Sequence, residues 1–191
     1  MMYELLLYSM ICGLLFGGSL RNLWNIELQG FPMILISAVS LTLANWMRRS
    51  DFLPTMIHFS GIEKISAAIY FIAFLILILF VLRNRDERML LFVGLGIACN
   101  MLVIFTNGAQ MPVDPGLAQA MGLTGKITYL QGHGFYTLAN AQTQFYFLAD
   151  IIKNPFITPY IVSIGDFFIS GGLFLFVLQK MEVRRLKIKQ K

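Results

Sequence analysis

Uncharged apolar runs alternate with short charged clusters along this chain. The first run extends from Leu5 to Leu20, between Glu4 and Arg21. The second, Leu28 to Met47, ends at Arg48 and Arg49, with Pro32 in its first turns, where a missing N–H is tolerated. Ile65 to Leu82 holds eighteen residues without a charge, and among them Ser66 alone is not apolar. A helix of that length nearly crosses the roughly 30 Å hydrocarbon core of a bilayer. The polar turn Arg83–Arg88 then leads into Met89–Thr106, so these two runs form an antiparallel pair. Tyr160 to Leu178 carries a single charge, Asp166. Runs this long must be solvated by lipid or by one another. The pattern predicts an all-α integral membrane helical bundle. About five transmembrane helices are expected, near 4–20, 28–47, 65–83, 89–106 and 159–179, in a single membrane domain spanning 1–191.

Two stretches interrupt the runs. The connector 51–64 contains Pro54 and Gly61 and reads as a surface loop holding His58. The segment 107–158 is richer in proline, glycine, amides and hydroxyls, and is too long for a structureless loop. It is expected outside the membrane or re-entrant, with a helix over 137–152 that places Leu138, Phe145, Leu148 and Ile152 on one face. The first run lacks a preceding basic residue and a following A-x-A site, so it reads as an uncleaved helix. Gly13 and Gly17 within it have the spacing that lets a neighbouring helix approach.

Composition agrees with the pattern. Apolar residues make up 57% of the 191 residues and charged residues 13%, against about 25% charged in soluble domains. The net charge of +5 is bunched, with six of fifteen Lys and Arg residues from Lys180 onward, in the basic tail that occupies 180–191. Such clusters mark cytoplasmic loops and anionic headgroups. No aromatic-interleaved basic surface accompanies them, so nucleic acid is not an expected partner. With five spans, the side of the C-terminal tail holds ten Lys and Arg residues and the other side five. The positive-inside rule then places the C-terminus in the cytoplasm and 107–158 outside, in a multi-pass protein of the cell membrane.

Ionisable groups inside spans are costly and are functional candidates by default. Asp166 is the clear case, with Ser163 and Ser170 on the same helical face. On the preceding span Asn100 and Asn107 share a face, and Gln110 follows. His133, between two glycines, and Asp150 lie in the polar segment, so one imidazole and two carboxylates are available for proton transfer. Asn100, Asn107, Gln110, Ser163, Asp166 and Ser170 are the ligand-binding candidates; Asp166, His133 and Asp150 are the catalytic candidates. The bland reading is that Asp166 ties to Asn100 or Asn107 and holds two helices in register. Cys12 and Cys99 read as small packing residues. No zinc signature, phosphate-binding loop or nucleophile elbow occurs, so no metal is expected, and no cofactor is indicated.

Several of these residues also carry a resemblance. Asn-Gly-x-x-Met-Pro-Val at 107–113, His133 downstream, Phe147-Leu148-Ala149-Asp150-Ile151 followed by Pro155, and Ser163-Ile164-Gly165-Asp166 with a later glycine resemble one family. It is a bacterial polytopic membrane family, domain of unknown function five-three-one-seven, and the similarity covers about residues 100–172 and the helix layout. Where this chain has Ala109, that family usually carries a second glycine. The resemblance implies a bacterial inner-membrane protein and no particular activity.

These features support a binding or interaction subunit with an outward-facing polar pocket. The alternative is a small membrane enzyme acting on a lipid-linked or peptide substrate. A transporter is a third reading, disfavoured because no internal repeat is visible. The bilayer is the expected partner, joined by a second copy or a partner membrane subunit. The charge count makes a direct prediction. In intact cells, cysteine placed at Lys189 should be shielded from an impermeant thiol reagent, and cysteine at Lys126 should react. The opposite pattern rejects this orientation.

Overall fold

The computed structural model describes residues 2–49, 61–156 and 158–183. The chain is mostly helical. In order it forms α1 (Met2–Leu15), a 3-10 turn (Leu20–Asn25), α2 (Phe31–Arg49), α3 (Ile62–Arg83) and α4 (Arg88–Thr106). There follow β1 (Met111–Val113), α5 (Pro115–Ala120), α6 (Thr124–His133), β2 (Tyr136–Leu138) and a 3-10 turn (Tyr146–Leu148). β3 (Ile152–Lys153), β4 (Ile161–Val162) and α7 (Ile164–Lys180) complete the described chain. His58 and the tail from 184 onward lie outside the described residues.

All five expected helices exist, but five full spans are not supported. Three are long and apolar enough to cross a membrane: Phe31–Arg48, Glu63–Arg83 and Arg88–Thr106. α1 has 14 residues and α7 has 17, giving roughly 21 and 25 Å at the helical rise. Both are shortened by local chemistry. Gly17 adopts a left-handed φ of 78° and Gly18 N–H returns to Gly13 C=O at 2.8 Å, which closes α1 early. At the other helix, residues 161–162 pair in a strand and Ser163 caps the start, so α7 begins at Ile164 rather than near 159.

The long helices lie in the order α1, α7, α4, α3, α2, each packed on the next. The broadest contact joins α4 and α7, and small residues make it possible. A Cβ at Gly96 would fall 2.3 Å from Gly165 C=O, and a Cβ at Gly172 would fall 2.9 Å from Met89 C=O. The two backbones therefore touch, as in glycine-mediated membrane helix pairs. Gly13 packs within the chain, against Met181, which is fully buried; Gly17 faces open space and serves the turn. Ser37 Oγ donates to Ala73 C=O at 2.8 Å across α2 and α3, where Ala44 and Ala73 are also buried. Asn84, the residue after α3, donates to Gln29 C=O at 2.9 Å and accepts Gln29 N–H at 2.8 Å. It also donates to Phe80 C=O, one turn back.

Residues 107–163 form a cap over the ends of α3, α4 and α7. β1 pairs in parallel with β2, and Val113 bridges Asp150, so Asp150 extends the same small sheet. β3 and β4 pair antiparallel. The helix expected over 137–152 is absent. Thr137 lies in β2, and only Tyr146–Leu148 makes a single 3-10 turn. The amides that gave the stretch its polarity explain this. Asn140 Oδ1 accepts Gln142 N–H at 2.9 Å, and Asn140 N–H donates to Thr143 Oγ1 at 2.8 Å. Such local bonds offer the backbone an alternative to the helix.

The α4–α7 contact predicts an asymmetry among glycines. Gly96→Ala and Gly165→Ala should each lower stability by about 1–3 kcal/mol through overpacking. Gly171→Ala, with nothing within 4 Å of its Cβ, should be neutral or slightly stabilising. Thermal unfolding in detergent reads the difference, and equal effects at all three positions would refute the backbone contact.

Candidate functional site

The site is built on the first turn of α7. Ser163 is its N-cap and Asp166 its third residue, a capping box. Ser163 Oγ accepts Asp166 N–H at 3.0 Å, and Asp166 Oδ2 accepts Ser163 N–H at 3.1 Å. Asn100, one helix away on α4, completes the arrangement. Its amide donates to Asp166 Oδ1 at 2.8 Å, and its Oδ1 accepts the Ser163 hydroxyl at 2.8 Å. The result is a closed ring of four hydrogen bonds in which every donor meets an acceptor. The role of Gly165 follows from this. A Cβ there would lie 2.0 Å from Asn100 Oδ1, so only glycine leaves room for the amide. In Ser-Ile-Gly-Asp, serine caps, glycine admits the neighbour and aspartate receives it.

Asp150 stands beside this ring. Its backbone is pinned by β1: Asp150 N–H donates to Pro112 C=O, and Asp114 N–H donates to Asp150 C=O, both at 2.9 Å. The side chain is 5% exposed, and Oδ1 is buried with no hydrogen-bond partner. Burial, then the nearby Asp166 charge, pushes the Asp150 carboxyl well above the usual carboxylate range. Tyr70 of α3 lies close enough to interact electrostatically with Asp150, Asp166 and Arg48. Its ring stacks on Phe135 with centroids 4.0 Å apart, and the Arg48 guanidinium lies 4.2 Å over that same ring. Arg48 is fixed by Nε donating to Ser66 Oγ and Nη1 donating to Gly134 C=O, each at 3.0 Å.

The structure divides the expected residues. Asn100, Ser163 and Asp166 come together, and Asp150 lies near enough to feel the Asp166 charge. Asn107 does not meet Asp166; it clasps a loop peptide. Its amide donates to Gln144 C=O at 2.9 Å and to Val103 C=O at 2.7 Å, and its Oδ1 accepts Gln144 N–H at 2.9 Å. Gln110 reaches Gly134 C=O at 3.4 Å, nearer Arg48 than Asp166. Ser170 is buried further along α7. His133 ends α6, and its side chain lies outside the described residues. Among the described residues, no three His, Cys, Asp or Glu side chains gather as metal ligands. Away from the ring, the Tyr146 hydroxyl donates to Asp114, which also caps α5. That bond, with the Leu117 N–H, holds the Asp114 carboxyl below its usual range.

Tyr70, Phe135 and Arg48 were not legible as site residues. Arg48 reads as the charged end of a span and Tyr70 as one apolar residue among many. Only the tyrosine's hydroxyl, in a run that is apolar apart from Ser66, marks it.

A helical protein with three apolar helices of membrane-crossing length, capped at one end by a small sheet, is of the polytopic membrane class. This chain belongs to the Family of unknown function (DUF5317), whose model matches residues 25–178. The match runs from the turn before α2 into α7 and includes every residue of the ring. No curated protein and no solved structure matches the chain. Ala109 adopts a positive φ of 59°, a conformation that favours glycine.

The ring makes a strict prediction. Asp166 accepts two N–H donors, so Asp166→Asn puts an amide N–H against a donor and should cost about 1–3 kcal/mol. Asn100→Asp puts two carboxylates face to face and should cost at least as much. The double exchange Asn100→Asp with Asp166→Asn restores every donor–acceptor match and should recover most of the loss. Additive losses in thermal unfolding would disprove the ring.

Proposed function

We propose that the protein is a binding or interaction subunit of the bacterial inner membrane, with its polar site facing outward. On this reading α1 and α7 lie in the bilayer beside α2, α3 and α4. The C-terminus is cytoplasmic, the cap of residues 107–163 is outside, and the whole chain is one membrane domain. One observation carries the proposal: the ring of Asn100, Ser163 and Asp166 where the cap meets α4 and α7, with Asp150 within reach of the Asp166 charge and one of its buried oxygens left without a partner. A purely structural staple needs only the satisfied ring. The additional carboxylate, and the Tyr70–Phe135–Arg48 stack beside it, exceed that need. The enzyme alternative gains nothing from the arrangement. Both Asp166 oxygens are already engaged by N–H donors within the ring, so neither stands free toward a substrate.

Native mass spectrometry of gently extracted protein is the test. The wild type should retain a bound small molecule, lipid or partner subunit. The double exchange at Asn100 and Asp166, which keeps the hydrogen bonds but moves the charge, should hold it at least about tenfold more weakly, a loss of about 1.4 kcal/mol. A bare wild-type monomer, or equal retention by both proteins, would reject the proposal.

A further inference from the structure

Asp150 is the group that the ring does not explain. Its backbone is locked on both sides into the cap sheet, so the side chain cannot turn to water without breaking the Val113 bridge. Its Oδ1 is buried and unpartnered. No ion pair to it occurs among the described residues. A carboxylate anion in that position would hold Oδ1 without solvent or a hydrogen bond and would have no ion-pair partner among the described residues. A neutral carboxylic acid in the same position is far less costly.

The groups facing it sharpen the point. From α7 comes the Asp166 carboxylate, fixed by its own N–H donors. From α3 comes the neutral phenol of Tyr70, which also lies near the Arg48 charge at the end of α2. From α4 comes the neutral amide of Asn100. On the sheet side is Asp114, whose carboxylate turns away to Tyr146 and the Leu117 N–H. From α1, Glu4 is occupied by Thr158 N–H at 3.0 Å. The charge that bears on Asp150 is that of Asp166. A metal ion would need several open oxygens, yet the oxygens of Asp166 and Asn100 already accept hydrogen bonds.

We propose that Asp150 is a proton-binding site that keeps the cap seated on α4 and α7, so that the outer site is gated by the proton. The proton comes from the outer aqueous phase and adds to the carboxylate, cancelling its charge; its loss returns a buried anion facing Asp166 and unseats the cap. This rests on the outward-facing site described above. The sign follows from linkage. A carboxyl whose folded state favours the proton contributes stability fully below its unfolded pKa and loses it as pH rises through the folded one. Burial and the Asp166 charge set that folded value above the usual carboxylate range.

The experiment is hydrogen exchange on the full chain in lipid nanodiscs. It follows the amides of Met111, Ala139 and Asp150, which donate across the cap sheet. Rates are corrected for intrinsic exchange and read from about pH 5 to about pH 10. From the ordinary carboxyl pKa of about 4 up to the raised pKa of the seated cap, the opening equilibrium of the wild type should rise about tenfold per pH unit, the slope of a single proton, and then level off. Asp150→Asn should be flat, and Asp114→Asn should keep the wild-type slope. A flat wild type, or a slope that survives in Asp150→Asn, overturns the proposal. Should Asp150→Asn fail to fold, the infrared carbonyl band of a protonated carboxylic acid decides. It must be present in the wild type at the low-pH end of the slope and vanish where the slope levels off. Neither readout depends on the adduct sought by mass spectrometry, so a proton gate without a retained ligand and a ligand without a gate are distinguishable results.

Discussion

The close approach of α4 and α7 is the constraint on which the rest depends. Two helices whose backbones touch at Gly96, Gly165 and Gly172 leave no space for water between them. Any polar group at their ends must then be answered by protein. Asn100 enters the gap at Gly165 and meets the Ser163 hydroxyl and the Asp166 carboxylate together. The same three residues begin α7 and align it with α4. Local capping and long-range packing are thus one set of bonds, and changing either changes both.

From that contact the remaining elements follow. α7 carries α1 on its other side through Gly13 and Met181. α4 carries α3, and α3 carries α2. The cap is set by α4, whose end leads through Gly108 and Ala109, both at positive φ, into β1. Once β1 is placed, β2 and Asp150 have only one sheet to join. Asp150 therefore owes its buried position to backbone pairing rather than to any attraction of its side chain.

Much of this was legible in the sequence, and the failures have physical causes. Apolar runs without charges located all five long helices, because periodicity and lipid solvation act on composition alone. Asp166, Asn100 and Ser163 were legible as partners because charge inside an apolar run demands an answer. Run length overstated α1 and α7, since apolar residues continue into a glycine turn at one end and a strand at the other. The amide-rich stretch after Thr137 read as helix by its spacing, but its side chains bond their own backbone first. The Arg48–Phe135–Tyr70 stack joins positions far apart in sequence and has no local signature.

The asparagines that follow α3 and α4 are two copies of one device. Each bonds the carbonyl four residues back, Phe80 or Val103, and grips both the N–H and the C=O of a distant residue, Gln29 or Gln144. What is gripped is main chain, which every residue except proline presents alike. The two loops are therefore held by position and not by identity. Any residue except proline at 29 or 144 can be held in the same way, so the chemistry displayed at either end of the bundle can change while both asparagines stay in place. The molecule separates what fastens its loops from what those loops can become.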